Sequence, residues 1–295
     1  MRVYITGIQG QLGQALVRRW SPSAEVCGGD LPEVDITLAE SLTQAIAEAR
    51  PDLVVHCAAM TDVDGCARNP PAALQINGLG TQNVALACQQ VGASMVHIST
   101  NEVFSGRWDA EQARPYHEFD ATDPINPYGA SKAAGEWYVR HLLGRFFIVR
   151  TSWLYGSQGR NFIHTIQAAA DKHGALRVVT DEVANPTWVE DLASAVVRLA
   201  ESGRHGVYHL VNEGYCSRYA LARRILTLTG RDQVPVAPIV RSQWPRPSVP
   251  PAFAPLANHC AAALGIRLRP WEEALAAYLD TAGSSVPSDV AGPTG

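Results

Sequence analysis

The chain has 295 residues, 46% of them apolar and 18% charged, with a net charge of −4. That length supplies a well-buried core in one large or two unequal domains. No basic surplus exists to neutralise nucleic-acid phosphates, and no apolar run reaches the ~18 residues of a membrane span, so neither partner is expected.

Residues 3–5 are a short β-rich run. Gly7, Gly10 and Gly13 follow at spacing three, and Leu12, Ala15, Leu16 and Val17 open an apolar helical pattern. A strand that turns through glycines into a helix N-terminus is a phosphate cradle, because unpaired N–H groups and the positive dipole end face an anion there. Gly7 allows the tight turn, Gly10 lets backbone approach a pyrophosphate, and Gly13 lets the helix pack on the strand. The reading is a dinucleotide site. The strand begins almost at the first residue, which leaves no room for a signal peptide.

Further β-rich runs cover 25–28, 53–57, 95–98, 146–150 and 207–211. Helical patterns cover 11–20, 38–49, 71–91 and 128–143. This alternation predicts βαβ units and a doubly wound parallel sheet with both faces covered. Asp30 closes the second strand, where a carboxylate can accept the ribose hydroxyls of an adenosine and repel a 2′-phosphate. A turn residue after Gly28-Gly29 is the plainer reading of Asp30.

The pattern changes after residue 155. Helices over 161–173, 189–202 and 218–229 alternate with short strands and turns. Residues 241–255 hold five prolines and form a loop, residues 271–279 a last helix. The division is a dinucleotide-binding domain over 1–155 and a mainly substrate-binding region over 156–282 that returns some segments to the sheet. A Gly/Ser/Pro-rich tail over 283–295 is expected to be disordered. The six cysteines form no C-x-x-C pair and the nine histidines no ligand spacing. These patterns suit a reducing cytoplasm and predict no catalytic metal.

Residues 96–100, Val-His-Ile-Ser-Thr, are a strand ending in hydroxyls. Residues 126–132, Asn-Pro-Tyr-Gly-Ala-Ser-Lys, open a helix that puts Tyr128 and Lys132 on one face. This is a proton-transfer kit. The phenol protonates a carbonyl oxygen as hydride arrives, the ammonium lowers the phenol's pKa, and the hydroxyl orients the carbonyl.

With I-T-G-I-Q-G-Q-L-G at 5–13, V-D-I-T at 34–37, N-P-Y-G-A-S-K at 126–132 and R-T-S-W-L-Y-G at 150–156, roughly residues 1–280 resemble the dTDP-4-dehydrorhamnose reductases. These are extended short-chain dehydrogenases/reductases with a Rossmann-type fold. The resemblance implies reduction of the 4-keto group of a dTDP-linked 4-keto-6-deoxyhexose, most simply dTDP-4-dehydrorhamnose, by NADPH or NADH, and allows a homodimer. It assigns catalysis to Thr100, Tyr128 and Lys132, and the pyrophosphate loop to Gly10, Gln11 and Leu12. Asp35 and Ile36 become the adenine contact, and Ala58, Ala59, Met60 and Thr61 the segment along the cofactor. Trp153 faces the sugar, and Arg246 in the proline-rich loop can clamp a diphosphate bidentately.

Asn101 and Glu102 depart from the family's usual acid and tyrosine beside the sugar. Residues 181–187 lack the family's Gln and Gly, and Pro250 replaces a hydroxyl residue. These changes leave the reaction type and open the sugar. A ring-contracting dTDP-dihydrostreptose synthase is the alternative that Glu102 keeps open. A non-catalytic subunit, like the regulatory subunit of methionine adenosyltransferase, is disfavoured by the presence of Thr100, Tyr128 and Lys132 together. Arg18 or Arg19 could meet a 2′-phosphate if NADPH is the donor.

Overall fold

The computed structural model describes residues 1–107, 113–159 and 161–283. In chain order the first half holds β1 (Arg2–Thr6), α1 (Gln11–Trp20), β2 (Glu25–Gly29), α2 (Ala39–Ala49), β3 (Leu53–His56) and α3 (Val63–Arg68). Next come α4 (Pro70–Ala73), a π-helical turn (Leu74–Leu79), α5 (Gly80–Val91), β4 (Ser94–Thr100), α6 (Pro127–Leu142) and β5 (Phe146–Thr151). The second half has β6 (Leu154–Tyr155), α7 (Phe162–His173), β7 (Leu176–Val179), β8 (Val183–Ala184), β9 (Thr187–Trp188) and α8 (Val189–Glu201). It closes with β10 (Gly206–His209), β11 (Cys216–Ser217), α9 (Arg218–Leu228), β12 (Val236–Ile239), α10 (His259–Ala263) and α11 (Trp271–Gly283).

Six strands pair in parallel in the order β10-β5-β4-β3-β1-β2. The chain steps from β1 to β2 on one side, then returns to the other side with β3. The strand order therefore reverses between β1 and β3, which is where a ligand crevice opens beyond the strands' C-terminal ends. Strand alternation divides the core. Val3, Ile5, Leu53, Val55, Val96, Phe147 and Val149 pack with Leu16 and Trp20 of α1 and Leu192, Val196 and Leu199 of α8. Tyr4, Val54, Met95 and Ile148 pack on the opposite face with Leu42 and Ile46 of α2, Val84 of α5 and Val139 of α6. Both faces are covered, as the unbroken apolar runs require.

The single helix expected over 71–91 is three pieces. Pro70 and Pro71 lack N–H donors and start α4, with Asn69 accepting from Ala72 N at 3.2 Å. The backbone then widens into the π turn before α5. Asn77, inside that turn, gives its amide to Met60 and Ser131. A second core joins α7, α9 and α11 through Ile163, Ile166, Leu221, Ile225, Trp271, Leu275 and Tyr278. Beside it β7 pairs with β12, a strand pair that no periodicity revealed. The tail expected to be disordered lies outside the described residues, except that Gly283 ends α11. Among the described residues no helix is long and apolar enough to cross a membrane.

Candidate active site

The glycine turn forms where β1 meets α1. Gly7 has φ +70°, and a Cβ there would stand 2.8 Å from Ala58 N. A Cβ on Gly13 would stand 2.3 Å from Gly7 O, so the helix can sit on the turn only without one. Gly10 caps α1 without a side-chain hydrogen bond, which leaves first-turn N–H groups for an anion. A cleft of about 1000 Å³ starts at this turn. It collects Gly7, Gly10, Gln11, Leu12 and Gly13 from the turn, Asp30 after β2, Ala58–Thr61 after β3, Thr100 from β4, and Thr151 and Ser152 at the end of β5. A backbone cradle followed by a cleft of that length suits a dinucleotide.

The Asp30 carboxylate accepts from Gln9 N at 3.1 Å and Leu31 N at 3.0 Å, so it braces the glycine turn while facing the cleft. Asp35 and Ile36 also line the cleft, with Asp35 Oδ1 accepting from Thr37 N and Oγ1, both at 2.8 Å. Met60 is fixed through both backbone polar atoms by the Asn77 amide, at 2.8 and 3.1 Å. Arg18 and Arg19 do not reach this end. Both pair with Glu190 at the far end of α1, and Lys132 and Arg218 are the only cations among the cleft's described residues.

The three residues expected to carry chemistry converge. Asn126 caps α6 by accepting from Gly129 N at 2.8 Å, and this sets Tyr128 and Lys132 facing the end of β4. The Tyr128 hydroxyl faces the Thr100 side chain, which acts to lower its pKa. One expectation is reversed. Burial raises the Tyr128 pKa, and the Glu102 charge raises it further, outweighing Thr100. Burial lowers the Lys132 ammonium to about 8, opposed by the charges of Glu136 and Cys57. The phenol is therefore a firmly protonated acid.

Behind Lys132 the polar groups are buried and mostly paired. His56 bonds Thr6 at 2.7 Å and Thr81 at 3.0 Å, and burial with the nearby ammonium holds it neutral, near 3. Glu136 accepts from Arg150 at 2.9 and 2.7 Å and from Ser99 at 2.6 Å. Neither member of this pair was assigned a role from the sequence, although Arg150 opens the R-T-S-W-L-Y-G string and Glu136 lies one turn beyond Lys132.

A smaller cavity of about 70 Å³ continues from the cleft. Asn101, Glu102, Trp153 and Arg218 line both, and Glu182 and Arg246 line the smaller one. Asn101 is buried with its amide on Ala254 O at 3.1 Å. Glu102 accepts from Asn126 at 2.7 Å, and burial raises its carboxyl above the ordinary range. Arg246 is braced through Nε, which donates to Asp64 at 2.9 Å, and Ser248 N reaches the same oxygen at 3.1 Å; among the described residues its two terminal nitrogens have no acceptor. Arg218 escaped notice as a pocket group because the start of α9 brings it there from a distant segment, whereas Glu182 belongs to the 181–187 stretch already marked as departing from the family. Among the described residues no group of three His, Cys, Asp or Glu could hold a metal.

The family model described as "RmlD substrate binding domain" matches residues 1–284. The chain is 37% identical to a dTDP-4-dehydrorhamnose reductase of Mycobacterium tuberculosis, over 98% of this chain and 95% of that one. The crystal structure of a dTDP-4-dehydrorhamnose reductase from Clostridium acetobutylicum superposes with a TM-score of 0.91 at 37% identity, covering 96% of this chain and all of that one. The Bacillus anthracis enzyme, solved in complex with NADP, gives 0.90 at 36% identity over 95% and 99%. The chain belongs to the dTDP-4-dehydrorhamnose reductase family.

Proposed function

We propose that the chain reduces the 4-keto group of a dTDP-4-keto-6-deoxyhexose, dTDP-4-dehydrorhamnose to dTDP-L-rhamnose, using NADPH or NADH. The observation that carries this reading is the convergence of Thr100, Tyr128 and Lys132 on the cleft that begins at the glycine turn. Gly7, Gly10, Gln11, Leu12 and Gly13 hold the pyrophosphate, Asp30, Asp35 and Ile36 the adenosine, and Ala58–Thr61 the stretch toward the nicotinamide. When bound, the cofactor supplies the hydride.

The chain's own residues manage the proton. Tyr128 holds it on its hydroxyl and delivers it to the carbonyl oxygen, while Thr100 keeps the phenol and the carbonyl in line. Lys132 keeps a positive charge beside the oxyanion that develops. Residues 156–282 bring Glu182, Arg218 and Arg246 over the sugar and serve mainly as the substrate-binding region. Asp30, with no cation beside it in the cleft, tilts the preference toward NADH. The six free cysteines suit a reducing cytoplasm.

The test is oxidation of NADPH and NADH by the pure protein with dTDP-4-dehydrorhamnose, followed by NMR of the product. A six-membered dTDP-L-rhamnose is the expected product, and NADH the donor with the larger kcat/KM. A protein that binds cofactor yet reduces no 4-keto nucleotide sugar ends the reading.

A further inference from the structure

Arg218 is the first residue of α9, next to the Ser217 cap, where the helix dipole is unfavourable to a cation. Burial lowers its pKa to about 10, with the charges of Glu182 and Glu102 opposing that shift. A helix start does not call for such a residue. Its guanidinium lies 3.6 Å from the centre of the Trp153 ring and 4.9 Å from that of Phe162. Trp153 itself holds a left-handed backbone, φ 41°, a conformation costly for a residue with a Cβ.

The aromatic rings fix the plane of the guanidinium and leave its edge open. Among the described residues its one ion pair is to Glu182, at 3.8 Å, beyond hydrogen-bond distance. Among the described residues none accepts a hydrogen bond from this guanidinium, which carries five N–H donors. Arg218 stands on the boundary between the cofactor cleft and the smaller cavity, with Glu102 on the same boundary and Glu182 in the cavity. Arg246, the other arginine, is already held by Asp64.

The charges decide what belongs there. The cavity sets two carboxyls against two guanidiniums, so it offers a diphosphate no net positive charge. These groups suit a neutral polyol, whose hydroxyls both donate and accept. Burial raises both carboxyls above their ordinary range, and the charge of Arg218 opposes that shift.

We propose that Arg218, with Glu102 and Glu182, forms the subsite that reads the hydroxyls of the substrate's hexose, and that the nucleotide's diphosphate lies outside it. The proposal rests on the reductase reading for the identity of the nucleotide sugar. The free donors of Arg218 take sugar oxygens, the two carboxyls take sugar hydroxyls, and Trp153 holds the guanidinium in plane.

The experiment compares binding of dTDP-L-rhamnose and of dTDP to the full-length protein by calorimetry, for the wild type and for Arg218→Met. Losing charged hydrogen bonds to the sugar lowers the affinity for dTDP-L-rhamnose about tenfold and leaves that for dTDP within about twofold. The KM for the keto sugar rises by a similar factor, with the cofactor Kd unchanged. Equal losses for dTDP and dTDP-L-rhamnose make Arg218 a diphosphate clamp and overturn the proposal. Unchanged binding of both overturns it as well. Arg218→Lys guards against a variant that fails to fold. It keeps the charge but loses the planar fork, and the affinity ratio still falls about threefold; an unchanged ratio counts against the subsite. Absence of turnover in the wild type sinks the reductase reading, whereas these binding ratios judge the subsite itself.

Discussion

Glu136 takes both Nε and Nη2 of Arg150, at 2.9 and 2.7 Å, one helical turn beyond Lys132. Both side chains are almost fully buried, and Ser99 donates a third hydrogen bond to the same carboxylate. The pair thus links α6, β4 and β5 directly behind the residues assigned to proton transfer. Its negative member is the larger of the two charges that oppose the burial of Lys132.

Replacing Glu136 by Gln removes that opposing charge and leaves Arg150 buried without its counter-ion. The Lys132 pKa then falls, and the basic limb of the kcat/KM profile moves to lower pH. Stability falls by about 3 kcal/mol, because breaking one side of a buried pair strands the other. Urea denaturation and a pH–rate series on the same preparation check both outcomes.

In the wild type the Lys132 ammonium titrates at about 8 instead of its ordinary 10.5. Its charge is present below that pH and disappears above it. We expect kcat/KM, which reports the free enzyme, to fall above pH about 8 while Tyr128, raised by burial, stays protonated. The stability linkage has the opposite sense. Between about 8 and 10.5 the unfolded chain binds the extra proton, so this group's contribution to stability rises with pH in that window. A profile flat through pH 10 contradicts the role given to Lys132.

Tyr128→Phe deletes the acid without emptying its space. We expect kcat to fall at least ~100-fold, with the cofactor Kd within a factor of about two. Stopped-flow hydride transfer and cofactor fluorescence titration separate the two quantities. Retention of wild-type turnover would falsify the assignment.

Gly13→Ala puts a methyl 2.3 Å from the Gly7 carbonyl oxygen, a backbone atom that cannot step aside cheaply. The helix must lift off the turn. We expect a loss of about 1–3 kcal/mol in stability, typical of overpacking, and a cofactor Kd raised about tenfold or more. Ala at Gly144, where nothing lies within 4 Å, is the control and leaves both unchanged.

Much was legible from the residues alone, because it depends on near neighbours along the chain. Unbroken apolar runs separated by helical patterns dictate a covered parallel sheet, and Gly7, Gly10 and Gly13 dictate the turn. The i, i+4 spacing of Tyr128 and Lys132 places both on one helix face. What the tertiary structure decided depends on desolvation and on contacts distant in sequence. Arg246 meets Asp64 across 182 residues, which fixes it at the edge of the smaller cavity. Arg218 reaches the cleft only because α9 starts against Trp153 and Glu182. The Tyr128 pKa rises, where charge proximity to Lys132 alone predicts a fall, because burial strips water from around the phenol and the Glu102 charge adds to the rise.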